Sequence, residues 1–419
     1  MRRATSLYLA LLAVGVLAVV VAVVVPRPAA PSAIAARGRP APATPYDQAV
    51  AALKAQSAAL LDGDEKAWLA AVEAPLRKRY RAMFRSLRAL EVTRFDYRPG
   101  VGRPVKGPGA LAMRTEISYC LGTDMCPGRS GTKWQQPPRI EQALTMRPVA
   151  GRYVISAVAP GPGDDPRRPA PWENGELVVL RGTRVTLVAA PAQRHHLARV
   201  LPVAEAAAKV DDRFAALIGT SQSRYRIYLA GEAQWRSWYG GREDNWAIGL
   251  AVPLNMHGID VMLRMKELAG NPVLLRVALQ HELGHVVTLS GAYRADAAED
   301  TWLSEGIAEY IGWSPRRAAR TLRRGSVRWA LTGGARPTSM IPARPGPDAP
   351  ARAGDAFYGL SHLAADCMAV RYGDAKLFAF VRLVLTQDND YDQAAREAYG
   401  VPFRTVDRAC VTWIRRQVL

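Results

Sequence analysis

The first part of the chain changes from a helical to a strand pattern of hydrophobic positions. Apolar side chains recur at helical spacing over Tyr46–Val72 and Leu76–Leu90, which predicts amphipathic helices. Over Leu111–Leu121 the period changes to two, as in a strand with one buried face. Two further strands are predicted at Ile140–Arg147 and Arg152–Val158. Helices followed by antiparallel strands predict an α+β domain over residues 46–160.

This predicted domain resembles the cone-shaped nuclear-transport-factor-two-like domains. The resemblance rests on the order of the elements and on Leu61-Asp62-Gly63-Asp64, which precedes Trp68. The segment contains no constellation of catalytic side chains. We therefore expect it to be a small accessory domain.

A second domain, residues 176–419, is predicted after a linker at 161–175 that is rich in proline and charged residues. Its predicted elements are strands at Leu177–Leu180, Arg184–Val188, Tyr225–Leu229 and Ala247–Val252, and helices at Leu197–Leu217 and Val273–Leu289. From residue 300 onward the pattern is mainly helical, apart from a Pro/Gly-rich loop at Thr332–Gly354. The domain is therefore expected to hold a small sheet and a mainly helical C-terminal half.

The N-terminus carries a membrane or export signal. Leu7–Val25 is a run of 19 uncharged residues, and as a helix it would extend about 28 Å, nearly the thickness of the bilayer core. This length favours a single-pass anchor over residues 1–25, followed by a Pro-rich linker at 26–45. Ala33-Ile34-Ala35 offers the alternative of a cleaved signal and a secreted protein. Both interpretations place the domains outside the cytoplasm.

The composition adds a strong basic excess. The 419 residues include 56 Lys and Arg against 37 Asp and Glu, a net charge of +19. This charge is compatible with an anionic partner such as a lipid surface or a wall polymer. No basic segment is interleaved with aromatic residues in the manner of an RNA-binding sheet, so nucleic acid is not expected as a partner.

Four cysteines are present, an even number for a protein expected in an oxidising compartment. Local pairing predicts disulfides between Cys120 and Cys126 and between Cys367 and Cys410. Four buried thiols are the alternative. A zinc site on these cysteines is not expected, because neither pair has the spacing of a zinc knuckle.

The chemistry is concentrated in His281-Glu282-Leu283-Gly284-His285, inside the predicted helix that starts after Asn271-Pro272. Two histidines four residues apart share one helix face, about 6 Å apart along the axis, so both can bind one metal ion. The Glu282 side chain leaves the helix in a different direction from the two histidines, so its carboxylate can contact a water molecule bound to that ion. Zinc with an open fourth position lowers the pKa of such a water, and a neighbouring carboxylate can then accept its proton.

A second helix supplies the third ligand. Trp302–Tyr310 carries Glu305 and Glu309 on one face, and Glu305 is the candidate that completes a zinc site with His281 and His285.

Together these motifs resemble the gluzincin metallopeptidases over residues 247–372. The resemblance maps the acidic zinc ligand onto Glu305 and a group that orients a ligand histidine onto Glu309. It also suggests Tyr358 as the oxyanion donor, with the nearby His362 as an alternative.

One departure from the family bears on the type of peptidase. Aminopeptidases of this superfamily bind the substrate amine through a Gly-Ala-Met-Glu-Asn strand, where this chain has Gly249-Leu250-Ala251-Val252-Pro253. The missing glutamate favours an endopeptidase whose peptide or protein substrate adds as a strand to this edge.

The leading hypothesis is therefore an exported, membrane-anchored zinc endopeptidase. Two alternatives remain: a non-catalytic surface-binding protein with a structural metal, and an amidase that acts on wall peptides. The intact Glu282 favours the catalytic hypothesis over the first alternative.

Overall fold

The structure is a computed structural model. It describes residues 43–122, 124–128, 130–132, 135–161, 169–241, 247–292, 298–333, 338–346 and 348–419. The predicted membrane segment Leu7–Val25, the alternative cleavage site at residues 33–35 and most of the 26–45 linker lie outside the described residues. Within the described ranges, every helix is too short or too polar to cross a bilayer.

Three helices begin the described chain: α1 (Pro45–Asp62), α2 (Glu65–Ala70) and α3 (Arg77–Ala89). The Thr44 hydroxyl accepts a hydrogen bond from the Asp47 backbone N–H, which caps α1. The prediction of one helix across Tyr46–Val72 is wrong. Gly63 ends α1 with a φ of 79°, a left-handed conformation that glycine adopts without strain. Asp64 then caps α2 by accepting from the Ala67 N–H.

The first sheet is antiparallel and follows these helices. Its strands are β1 (Val92–Pro99), β2 (Arg103–Pro104), β3 (Leu111–Leu121), β4 (Arg139–Val149) and β5 (Arg152–Pro160). The order is β1-β3-β4-β5, and β2 pairs with one end of β3. The strand predicted at Leu111–Leu121 is confirmed with the same bounds. The buried rings of Trp68, Phe95 and Trp172 lie in the core between this sheet and the helices.

The second sheet is mixed. Its strands are β6 (Val178–Arg181), β7 (Val185–Ala189), β8 (Tyr225–Ala230), β9 (Gly249–Pro253) and β10 (Ile259–Arg264). The order is β6-β7-β8-β10-β9, in which β7, β8 and β10 are parallel and the two outer strands are antiparallel to their neighbours. Strand β10 was not predicted, because the buried charged residues Asp260 and Arg264 hide its apolar pattern.

Ten further α-helices lie in the described part of the chain. They are α4 (Leu197–Ile218), α5 (Glu232–Trp235), α6 (Met265–Leu268), α7 (Pro272–Leu289), α8 (Thr301–Trp313), α9 (Arg324–Thr332), α10 (Ala351–Tyr372), α11 (Asp374–Leu385), α12 (Tyr391–Tyr399) and α13 (Phe403–Val418). One face of the second sheet packs with α4 and α7 in the core of the helical half. The other face, including Val188, Tyr228 and Met262, packs in the same core as the first sheet. The α+β class is confirmed.

Both predicted disulfides are present. Cys120–Cys126 closes the loop after β3, and Cys367–Cys410 joins α10 to α13. The alternative of four buried thiols is therefore wrong. Disulfides of this kind persist in oxidising compartments, which is consistent with an extracellular location.

Candidate metal centre

Helix α7 presents the two histidines of the motif on one face. The Asn271 side chain accepts a hydrogen bond from the Leu274 N–H at 3.0 Å, and Pro272 occupies the first turn. Most of the next four turns are buried, which fixes the rotation of the helix about its axis. His281 and His285 consequently lie one turn apart, with ring centroids 4.9 Å from each other.

Three glycines allow α7, α8 and α10 to approach closely. A Cβ on Gly284 would lie 3.3 Å from Cα of Ala308, and one on Gly312 would lie 3.1 Å from Cβ of His281. A Cβ on Gly306 would lie only 2.6 Å from the backbone oxygen of Ser361. These contacts leave no room for a side chain at the helix crossings. They place Glu305, the neighbour of Gly306, against the histidines of α7.

His281, His285 and Glu305 offer ligand atoms that all lie within 4.8 Å of one another. Oε2 of Glu305 is 3.2 Å from Nε2 of His281 and 3.3 Å from Nε2 of His285. This oxygen is buried and has no hydrogen bond of normal geometry to the described residues. A tetrahedral zinc ion with bonds of about 2.0–2.1 Å holds its ligand atoms about 3.3 Å apart. The three side chains therefore fit a zinc ion by both chemistry and spacing.

Glu309 orients His281 by contacting the ring nitrogen that faces away from Glu305. Its Oε1 lies 3.2 Å from Nδ1 of His281, so Nε2 of that ring is directed at Glu305. Trp313 Nε1 donates to the Glu309 carboxylate at 3.0 Å. Arg323 donates to both oxygens of the same carboxylate, at 2.8 and 2.9 Å. A ligand histidine whose second nitrogen is held in this way has a fixed tautomer and ring orientation.

The cluster is electrostatically complementary without a metal. Burial lowers the pKa of His281, but the carboxylates of Glu305, Glu309 and Glu282 outweigh it and raise this pKa to about 10. Burial raises the pKa of Glu305 and Glu309, but the nearby cations outweigh it and hold both below their usual range. In the absence of a metal, the imidazolium of His281 and the guanidinium of Arg323 together balance the two ionised carboxylates. A metal ion bound by these residues would replace the proton of His281.

Glu282 lies between the metal cluster and the edge strand β9. It is 6% exposed, and burial raises its pKa even though the two histidines act in the opposite direction. The backbone of Ala251 in β9 forms a hydrogen bond with its carboxylate. A Cβ on Gly249 would overlap the carboxylate of Glu282. Strand β9 therefore passes directly over the predicted base, and a side chain at residue 249 would displace the Glu282 carboxylate.

Tyr358 lies beside His281. It is half-buried on α10, and its ring centroid is 6.2 Å from that of His281. The Arg323 guanidinium lies over the Tyr358 ring, 4.7 Å from its centroid. Burial and the nearby carboxylates raise the pKa of Tyr358 well above its ordinary value, so the phenol keeps its proton. The alternative donor His362 is 1% exposed, and its ring centroid lies 6.2 Å from that of Tyr310.

Two residues near the centre were not predicted from the sequence. Arg323 is one of eight arginines in a segment without acidic residues, so nothing in the pattern separates it from its neighbours. Asp211 precedes Asp212 on α4, and a pair of adjacent acidic residues is typical of a solvated helix face. In the structure Asp211 is fully buried, and Asp212 forms an ion pair with Arg184 at 2.7 Å.

Comparisons with known proteins do not assign the chain to a family. No protein-family model matches the sequence, and no curated protein matches it. The description of the site comes from its geometry, in which His281, His285 and Glu305 share one small volume beside Glu282.

Proposed function

We propose that this chain is a zinc-dependent peptidase of the gluzincin type. The observation that carries the proposal is the convergence of His281, His285 and Glu305 on a volume of zinc-site dimensions. Two neutral nitrogens and one carboxylate leave a fourth tetrahedral position for water, the arrangement typical of catalytic rather than structural zinc. A bound zinc ion would supply Lewis acidity and a water of lowered pKa.

The residues around the cluster supply the rest of the catalytic machinery. Glu282 is the general base, because its carboxylate lies beside the metal ligands without being one of them. The backbone of Ala251 lies beside this carboxylate and favours its ionised form. Tyr358 is the oxyanion donor. It keeps its proton, and its ring lies beside that of His281, near enough to the centre to donate a hydrogen bond to a developing oxyanion.

The substrate is a peptide in extended conformation. Within the part of the chain that the structure describes, β9 is the outermost strand of its sheet and pairs with β10 alone. Its free edge offers backbone donors and acceptors to which a peptide can add as a further strand. None of its residues, Gly249–Pro253, is acidic, so the strand has no carboxylate that would bind a free amino terminus. An endopeptidase is accordingly favoured over an aminopeptidase.

The same proposal includes the cellular location. Two disulfides support an exported protein. The uncharged run Leu7–Val25 supports a single-pass anchor that keeps the catalytic domain outside the cytoplasm.

The proposal is tested with purified full-length protein and the Glu282→Gln variant. We expect both to bind one zinc ion per chain, measured by elemental analysis. We expect the variant to cleave an internally quenched peptide about 10²–10⁴-fold more slowly, because it lacks the general base. Glu267→Gln, at an exposed glutamate of α6, is the matched control and should keep full activity. Zinc binding without cleavage by the wild type would favour the non-catalytic alternative, and absence of zinc would exclude the proposal.

A further inference from the structure

A surface beside the metal centre combines unpaired arginines with exposed apolar side chains. The segment 310–347 contains eight arginines and no acidic residue. Within it and at the start of α10, one group of residues is exposed. We call it the basic face: Arg320, Leu322, Arg324, Arg328, Trp329 and Arg352.

The basic face differs from the arginine-rich helix α3. On α3, Arg81 and Arg85 form ion pairs with Glu65, so that helix is partly neutralised. In the basic face, Arg320, Arg324 and Arg328 have no carboxylate within ion-pair distance in the described chain. The nearby Asp355 is already paired, at 2.5 Å, with Arg323. Among the described residues, the positive charge of Arg320, Arg324 and Arg328 is therefore not neutralised by a carboxylate.

The basic face also exposes two large apolar side chains. Leu322 is 76% exposed and Trp329 is 39% exposed. The guanidinium of Arg352 lies over the Trp329 ring at 5.2 Å, which holds the indole at the surface. The inner side of α9 is anchored by Val327 and Leu331, which are buried in the helical core. Helix α9 is thus a firmly packed support whose outer side presents arginine and tryptophan.

We propose that the basic face binds the surface of an anionic lipid bilayer. Arginine and tryptophan around an exposed leucine are the side chains that favour a membrane interface, where the charges contact headgroups and the apolar groups enter the boundary layer. An anionic membrane attracts basic residues and repels acidic ones. The complete lack of carboxylates over residues 310–347 suits a continuous negative surface better than the discrete charges of an acidic protein. The proposal is independent of peptidase activity.

The test uses a fluorophore whose emission shifts to the blue in a membrane interface. Because all four native cysteines form disulfides, Leu322→Cys provides the only free thiol for labelling. The matched control is Val101→Cys, at an apolar residue that is 84% exposed in the other half of the chain. Full-length protein is reconstituted in phosphatidylcholine vesicles with or without phosphatidylglycerol, so any anchoring by the N-terminus is common to both.

We expect the label at residue 322 to shift to the blue, and to become protected from an aqueous quencher, only when phosphatidylglycerol is present. The label at residue 101 should not respond. In the triple variant Arg320→Gln, Arg324→Gln and Arg328→Gln, the response at residue 322 should be lost. Identical emission at residue 322 in the two lipids, or an equal shift at residue 101, overturns the proposal. A response to soluble polyglutamate in place of anionic vesicles also overturns it, and assigns the basic face to an acidic protein partner.

Discussion

The Arg323 guanidinium binds both oxygens of the Glu309 carboxylate, with Nε–Oε2 and Nη2–Oε1 distances of 2.8 and 2.9 Å. The same guanidinium stacks on the ring of Tyr358, and Glu309 in turn contacts Nδ1 of His281. One side chain thus connects the orientation of a proposed metal ligand with the position of the proposed oxyanion donor. Arg323 is a positioning residue, because it reaches the centre only through these neighbours.

The Arg323→Lys variant tests this connection. Lysine keeps the charge that balances the buried Glu309, but it loses the planar fork and the stacked surface. We expect zinc affinity, measured by competition with a chelating dye, and kcat each to fall about 10–100-fold, because groups that orient metal ligands typically contribute this much. Arg317→Lys is the control, since Arg317 pairs with the buried Asp366 at 3.2 Å and touches no predicted site residue. Equal zinc affinity in the two variants would contradict the positioning role.

The Tyr358→Phe variant distinguishes the contribution of the Tyr358 hydroxyl from that of its ring. Phenylalanine preserves the stacking with Arg323, so the fold and zinc binding should not change. We expect kcat for peptide cleavage to fall about 10²–10³-fold with little change in KM, because an oxyanion donor acts mainly in the transition state. Tyr310→Phe, which loses a hydrogen bond to Asp374 outside the centre, should retain kcat. A Tyr358→Phe enzyme with wild-type kcat would exclude Tyr358 as the donor.

Much of the candidate metal centre could be predicted from the sequence because it depends on local spacing along a helix. The spacing of His281 and His285 is one helical turn, and Asn271-Pro272 marks the helix start, so the sequence alone places both imidazoles on one face. The third ligand came from a second motif around Glu305. The contacts that join these pieces were not predictable, because Arg323 is distinguished only by the tertiary packing of α9 against α10.

The strands also divide into those that a local pattern predicts and those that depend on tertiary packing. Strands with strict alternation, such as Leu111–Leu121, were predicted with their bounds, because burial of one face imposes a period of two. Strand β10 was missed because both its faces are buried and two of its buried residues, Asp260 and Arg264, are charged. Asp260 is balanced by Arg226 at 2.6 Å and Arg264 by Glu232 at 2.8 Å. Such pairings depend on the sheet order and leave no local pattern in the sequence.

Gly306→Ala tests the close contact of α8 and α10. The added Cβ would lie 2.6 Å from the Ser361 backbone oxygen and 2.9 Å from the Ser361 carbonyl carbon, so the helices would have to separate. We expect the free energy of unfolding to fall by about 1–3 kcal/mol, the usual cost of overpacking, as measured by urea denaturation. Zinc affinity should also fall, because Glu305 moves with its neighbour.

The control for this prediction is Gly354→Ala in the first turns of α10. No heavy atom lies within 4 Å of the Cβ position there. Alanine should leave the protein as stable as the wild type, or more stable by up to about 1 kcal/mol through its helix propensity. If both alanine variants had wild-type stability, the helix crossing would have to be looser than the structure shows.

Asp211→Asn should stabilise the protein, and only at neutral pH. The Asp211 side chain is fully buried on α4, and neither carboxylate oxygen has a hydrogen-bond partner among the described residues. Burial, with a smaller contribution from Asp212, raises the pKa of Asp211 well above its ordinary value. Below about pH 4 the folded and unfolded chains are both protonated at this position, so the carboxyl group has no effect on stability there.

As the pH rises above that value, the unfolded chain ionises while the folded chain retains the proton. Stability then decreases by up to about 1.4 kcal/mol per pH unit until the folded pKa is reached. Asparagine does not ionise, so the variant lacks this pH-dependent loss of stability. The variant should therefore exceed the wild type in unfolding free energy by about 1 kcal/mol or more at pH 7, with the difference vanishing near pH 4. Asp212→Asn, which loses the ion pair with Arg184, should give no stabilisation. A destabilised Asp211→Asn at neutral pH would mean that the Asp211 carboxylate is ionised and bound in the folded protein.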